Sequence, residues 1–345
     1  MPASVKSIGL IAIALLASAA LPRAALADAA ATKPVAITLP GGEHGLSLDD
    51  MGNVPALRRI VVPAGQTGAL VLINPADNSL TSISGISLPA AKPRSRDEGT
   101  SSAVYGARLL FASDHTNQAA VIVDPFHKRV LARTRLASGS DYLRFLASVN
   151  ELWVTEPEAS QIQVLRFTAK PKPALTPATT IAIPGGPESL VFDSERHRAY
   201  ANLWKDKTVV IDTATHHVVA EWPNGCEGSR GLALDAAHAH LFVACKEGAI
   251  STLSLTENGK QLAHAKAGAG IDIISYSPTL HHLYVPGAKS ATLTIFDVSD
   301  SGTLKPVATY PTAEHAHCVA DDDHGHIYVC NPRGGGVISF TDPAP

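Results

Sequence analysis

A short motif recurs seven times along this chain, and the recurrence limits the fold more than any other feature. It is a polar residue, three mostly apolar residues rich in β-formers, then a turn. The copies read Arg59-Ile60-Val61-Val62, Arg108-Leu109-Leu110-Phe111, Glu151-Leu152-Trp153-Val154, Arg198-Ala199-Tyr200-Ala201, His240-Leu241-Phe242-Val243, His282-Leu283-Tyr284-Val285 and His326-Ile327-Tyr328-Val329. Taken at the second residue, the anchors are 60, 109, 152, 199, 241, 283 and 327, at intervals of 49, 43, 47, 42, 42 and 44. A sustained period of this length marks an architecture built by repeating one supersecondary unit.

The flanks of each anchor repeat as well. Upstream runs an apolar segment ending on an acid, as in Ser189-Leu190-Val191-Phe192-Asp193 and Gly231-Leu232-Ala233-Leu234-Asp235. Downstream come further β-rich runs, such as Val121-Ile122-Val123-Asp124 and His217-Val218-Val219-Ala220. Each repeat therefore holds four short strands joined by turn residues, and no helical periodicity competes. Seven such units predict an all-β, seven-bladed β-propeller. The last repeat has room for only one more strand after its anchor, near Gly336–Phe340. The isolated strand-like segment Lys33–Pro40 is expected to complete it and remove an exposed edge.

The first residues read as a cleaved export signal. Lys6 precedes the apolar run Ile8–Ala20, and Ala25-Leu26-Ala27 supplies a small-x-small site, which places cleavage after Ala27. Residues 28–345 are then one propeller domain, expected in the periplasm or secreted, with no membrane span and as a monomer. Losing Lys6 and Arg23 takes the formal net charge from −3 to −5. That acidity argues against a nucleic-acid partner, which would require clustered Lys and Arg. In an oxidising compartment the four cysteines read as two local disulfides, Cys226–Cys245 and Cys318–Cys330, each bracketing a predicted hairpin.

The repeats resemble the YVTN-type propeller repeat, and the chain is similar to exported YncE-like propeller proteins. The likeness rests on Gly231–Val243, with weaker copies at Ser189–Ala201, Ile273–Val285 and His317–Val329. It implies a periplasmic seven-bladed propeller and no single reaction, since related propellers include lactonases, streptogramin lyases and the haem d1 domain of nitrite reductases. The early repeats depart from the pattern: Asp50–Arg58 reads as a long turn, and Lys92–Thr100 is polar and irregular.

Function on such a scaffold has to come from residues grafted at one mouth of the central channel. Counting five residues back from the repeat's Asp position gives His44, Glu188, Arg230, Asp272 and Ala316. A looser alignment adds Asp141, while His315 and His317 flank Ala316. Histidine and carboxylates together could hold a divalent metal or serve as general acid and base. The fixed cation of Arg230 points instead to an anionic ligand. Seven other histidines (His197, His238, His240, His281, His282, His324 and His326) fall at the opposite face and are expected to form a solvated band. No G-x-S-x-G or C-x-x-C-H motif is present, and no motif calls for a cofactor. The expectation is a binding module for a small anionic ligand or a periplasmic protein; the alternative is a lactonase-like or metal-assisted hydrolase or lyase.

Overall fold

The computed structural model describes residue 1 and residues 33–87 and 99–343. All of the expected signal segment except Met1, and most of 92–100, lie outside them. Seven four-stranded antiparallel sheets follow one another along the chain. Their first strands are Gly52–Val54, Ala103–Gly106, Leu143–Leu146, Val191–Asp193, Ser229–Asp235, Ser275–Ser277 and Val319–Asp321. The seventh blade takes its fourth strand from the N-terminal side. Val35–Thr38 pairs antiparallel with Gly336–Thr341, Val35 facing Ser339 and Thr38 facing Gly336. The ring is thus closed by a segment some 300 residues away in sequence, as the repeat arithmetic predicted.

The amino-acid pattern explains the arrangement. Second and third strands, such as Leu109–Asp114 and Ala119–Asp124, are buried on both faces and apolar along nearly their whole length. Fourth strands, such as Arg129–Arg135, alternate between exposed and half-buried residues and form the outer edge. Apolar side chains gather between neighbouring blades. Val61, Leu70 and Leu72 of blade 1 pack on Leu110, Val121 and Val123 of blade 2. Ile60, Val71 and Ile73 of blade 1 turn their other faces to Tyr328 and Val337 of blade 7. Between blades 2 and 3, Phe111 stacks on Phe145 with centroids 4.9 Å apart, and Phe167 meets Phe111 edge-on at 5.3 Å. Gly106 makes that stack fit: a Cβ there would lie 2.1 Å from the Phe145 ring.

Two local devices recur. In blades 2 to 6 the third and fourth strands slip register at one phase, at Ile122/Val123, Val164/Leu165, Val210/Ile211, Thr252/Leu253 and Ile295/Phe296. A bulge at that point increases the twist each blade needs. The repeated acid at the end of a first strand caps the following turn. Asp193 Oδ1 accepts the backbone N–H groups of Glu195 and Arg196, both at 3.1 Å.

Three readings need correction. Asp50–Arg58 is not a long turn: it contains the first strand of blade 1 and a 3-10 turn, Pro55–Leu57. In blade 2 the hairpin turn is only Ala107-Arg108, so the residue in phase with the other anchors is the buried Leu110 and not Leu109. The histidine band is only partly solvated, as described below. Both predicted disulfides are formed, with Cα–Cα distances of 5.1 Å for Cys226–Cys245 and 5.4 Å for Cys318–Cys330.

Candidate functional site

Hairpin register locates the channel mouth more firmly than counting along the sequence. The anchors Ile60, Leu110, Leu152, Ala199, Leu241, Leu283 and Ile327 face Asn53, Tyr105, Phe145, Phe192, Leu234, Tyr276 and Asp321. Four residues before these stand Asp49, Ser101, Asp141, Glu188, Arg230, Asp272 and His317. Each blade so contributes one polar or charged residue at equivalent phase. Backbone bonds hold several of these positions together across blades. Asp50 N donates to Ser101 O at 3.0 Å, Gly231 N to Asp272 O at 2.9 Å, and Ile273 N to His317 O at 2.9 Å. Between blades 4 and 5 the Ser189 hydroxyl donates to Arg230 O at 3.2 Å. The carbonyls of Ser101, Arg230, Asp272 and His317 thus serve closure between blades.

Five of the sequence-derived site residues, Asp141, Glu188, Arg230, Asp272 and His317, belong to this ring. Blade 1 contributes Asp49 where His44 was expected, because the count took Asp49 as the repeat's Asp, a position that register gives to Val54. Blade 7 contributes His317; Ala316 is fully buried. His44 and His315 are exposed at the rim. They share a cavity of about 690 Å³ with Asp49, Gln66, His317 and Arg333. A second cavity, about 260 Å³, also borders Asp49 and includes Ser101, His115, Ser140 and Asp141.

The electrostatics of the ring are dominated by carboxylates. Asp49, Asp141, Glu188 and Asp272 are all half-buried. Burial holds Asp49 well above the usual carboxylate range, reinforced by repulsion from Asp141, Asp272, Asp50 and Glu188. Burial does the same to Asp141, with Glu188 and Asp272 adding to it and Arg144 opposing it. Asp272 is raised by burial, although the charges of His317, Arg230 and Lys246 pull it back. Glu188 is pushed up to about 7 by burial and by Asp272, against the Trp204 hydrogen bond and the charges of Arg230 and Lys246.

Both arginines beside the ring carboxylates are already paired. Arg230 Nε lies 3.5 Å from Glu188 Oε1. Arg144 grips Asp50 with both Nη atoms, at 2.6 and 3.0 Å, while lying over the Tyr142 ring at 5.2 Å. Ser102 Oγ donates to the same Asp50 at 2.5 Å. The indole N–H of Trp204, a residue 45% exposed, donates to Glu188. His317 Nδ1 lies 2.7 Å from the His315 carbonyl. A carbonyl only accepts, so that nitrogen carries the proton and a neutral His317 keeps its lone pair on Nε2. Asp49, Asp50, Arg144 and Trp204 were missed by sequence reasoning. Only Asp49 had an available signal, its place four residues before the partner of an anchor.

Among the described residues, the groups of three metal-ligating side chains with ligand atoms within 4.8 Å are His317–Cys318–Cys330 and Cys226–Cys245–Glu247. Both contain disulfide sulfurs, so neither is a thiolate site.

On the opposite face, His197, His281 and His324 are exposed, but His240 and His282 are 4% and 5% exposed. His282 Nδ1 is 2.8 Å from Asp342, and His238 Nδ1 is 2.8 Å from Asp235. His238 also packs against His240 and His281, with centroids 6.0 and 5.7 Å away. Strand alternation turns His240 and His282 inward while the turn residues stay in solvent.

No protein-family model and no curated protein matches the chain. Solved structures do share its fold. One is a chain in the crystal structure of the mitotic checkpoint complex, with a TM-score of 0.73 and 12% identity, covering 97% of this chain and 98% of that one. Another is hydrazine synthase of Kuenenia stuttgartiensis, with a TM-score of 0.70 and 12% identity, covering 90% and 99%. At that identity the likeness is one of fold. Among the described residues no helix is long and apolar enough to cross a membrane.

Proposed function

We propose that the chain is an exported, YVTN/YncE-like propeller that acts as a binding module, taking a ligand with a positively charged group at this channel mouth. The observation that carries the reading is the ring itself. Asp49, Asp141, Glu188 and Asp272 are gathered at one phase of the fold, where burial and mutual repulsion disfavour their charge. A cation among them relieves both effects. An anionic ligand, which Arg230 alone suggested, fits less well because Arg230 faces Glu188 within the ring. The two disulfides fit an exported protein.

Trp204 supplies the readout, since Trp153 and Trp222 are buried and Trp204 is bonded to Glu188. Spermidine or Ca²⁺ should change its fluorescence and raise the melting temperature, and Glu188→Gln should weaken both responses. Stabilisation by citrate with none by either cation would overturn the reading. A hydrolase or lyase is the second reading, because a carboxyl with a pKa of about 7 suits general acid–base work at neutral pH. A lactone-hydrolysis screen in which Glu188→Gln abolishes turnover would establish it.

A further inference from the structure

The smaller cavity beside the ring has a feature that carboxylates alone do not explain. Its wall includes Asp49, Ser101, His115, Ser140, Asp141 and Glu158. Ser140 is only 2% exposed, and its hydroxyl oxygen has no hydrogen-bond partner among the described residues. Leaving a buried hydroxyl unsatisfied is unfavourable, so such a group calls for a partner that the protein itself does not provide. The nearest guanidinium in sequence, Arg144, is committed to Asp50 and cannot serve the cavity. His115 is also arranged for a guest. Its Nδ1 lies 3.1 Å from the Ser140 carbonyl and must donate, so the neutral ring keeps a lone pair on Nε2.

We infer that this cavity binds a hard divalent cation, held by the Asp49 and Asp141 carboxylates and the Ser140 hydroxyl, with water completing the shell. The inference rests on the reading of the mouth as a cation site, and adds which cation and where. Oxygen donors from two blades, without a compact thiolate or imidazole cluster, match Ca²⁺ or Mn²⁺ rather than Zn²⁺. A volume of about 260 Å³ leaves room for the ion with several waters, each taking roughly 30 Å³. Asp49 also borders the larger cavity, so an ion bound here stands at the edge of the space left for an organic ligand.

The test is titration of the chelator-treated full-length mature protein with Mn²⁺, following free Mn²⁺ by electron paramagnetic resonance, with Ca²⁺ as competitor. One ion per chain is expected. Affinity should fall at least tenfold in Asp141→Asn and several-fold in Ser140→Ala. It should be unchanged in Glu257→Gln, which removes a carboxylate paired with Lys260 at the far end of blade 5. Melting curves confirm that each variant is folded. Binding that survives both Asp141→Asn and Ser140→Ala would overturn the location. Absence of Mn²⁺ binding at millimolar concentration would overturn the inference altogether. If spermidine still perturbs Trp204 in that case, the mouth remains a cation site without a metal; if it does not, the mouth reading fails as well.

Discussion

Glu188→Gln offers a direct measure of the strain in the ring. The wild-type carboxyl rises from 4.5 to about 7, and its side chain is only 14% exposed, so solvent screens it little. At about 1.4 kcal/mol per pKa unit, ionising it inside the folded ring costs about 3 kcal/mol. The pH dependence follows from linkage. Below about pH 4.5 the carboxyl is protonated in both folded and unfolded chains and costs nothing. Between 4.5 and about 7 the unfolded chain has released the proton while the folded ring retains it, so stability drains away. Above 7 the cost is complete. Glutamine cannot ionise and retains an oxygen to accept the Trp204 N–H. The variant should therefore match wild type near pH 4 and exceed it by up to about 3 kcal/mol at pH 8. Urea denaturation of both proteins at pH 4, 6 and 8 measures this. A difference that stays flat with pH, or one that favours wild type as pH rises, would refute the electrostatic account of the ring.

Two other perturbations have definite signs. Burial pushes Asp235 up, but the hydrogen bonds from His238 and Tyr276 outweigh it and hold the carboxyl below its ordinary value. Asp235→Asn should thus cost about 2 kcal/mol at neutral pH, a loss that fades as pH falls below 3.8 and through the lower folded value, measurable by denaturation at pH 7 and pH 3. Deleting residues 33–40 removes the strand paired with Gly336–Thr341 and uncovers an edge. The truncated chain should self-associate in light scattering, and a monomer of unchanged stability would show that closure contributes little.

How much of this could be read from sequence depended on how regular each blade is. Blades 3 to 6 keep a near-constant distance from the inner strand to the anchor, so Asp141, Glu188, Arg230 and Asp272 were reachable by counting. Blade 1 keeps the same spacing, its Val54–Arg59 turn matching Asp193–Arg198 of blade 4, but its first strand ends on Val54 where other blades carry an acid, so counting started from Asp49 and landed on His44. Blade 2 fails because the turn Ala107-Arg108, both with positive φ, is shorter than the Ala147–Asn150 turn of blade 3. The histidines erred for another reason. His240 and His282 sit next to turns in sequence, yet each begins a strand, and the first inward-facing position of a strand is already in the core. Spacing alone does not state which face a side chain takes.

The fold also explains why such an unfavourable ring is tolerated. Closure relies on interblade apolar contacts and on bonds that end at the ring residues' backbone carbonyls, at Ser101, Arg230, Asp272 and His317. None of those bonds depends on what the ring side chain is. The side chains can therefore carry mutually repelling charge at a cost confined to local desolvation and repulsion, while the sheets and their interfaces are unaffected. A ring substitution that removes charge should raise stability and weaken binding together. A scaffold contact such as the Phe111–Phe145 stack should lower stability when truncated, without a pH dependence of its own. That contrast separates residues held for a ligand from residues held for the fold.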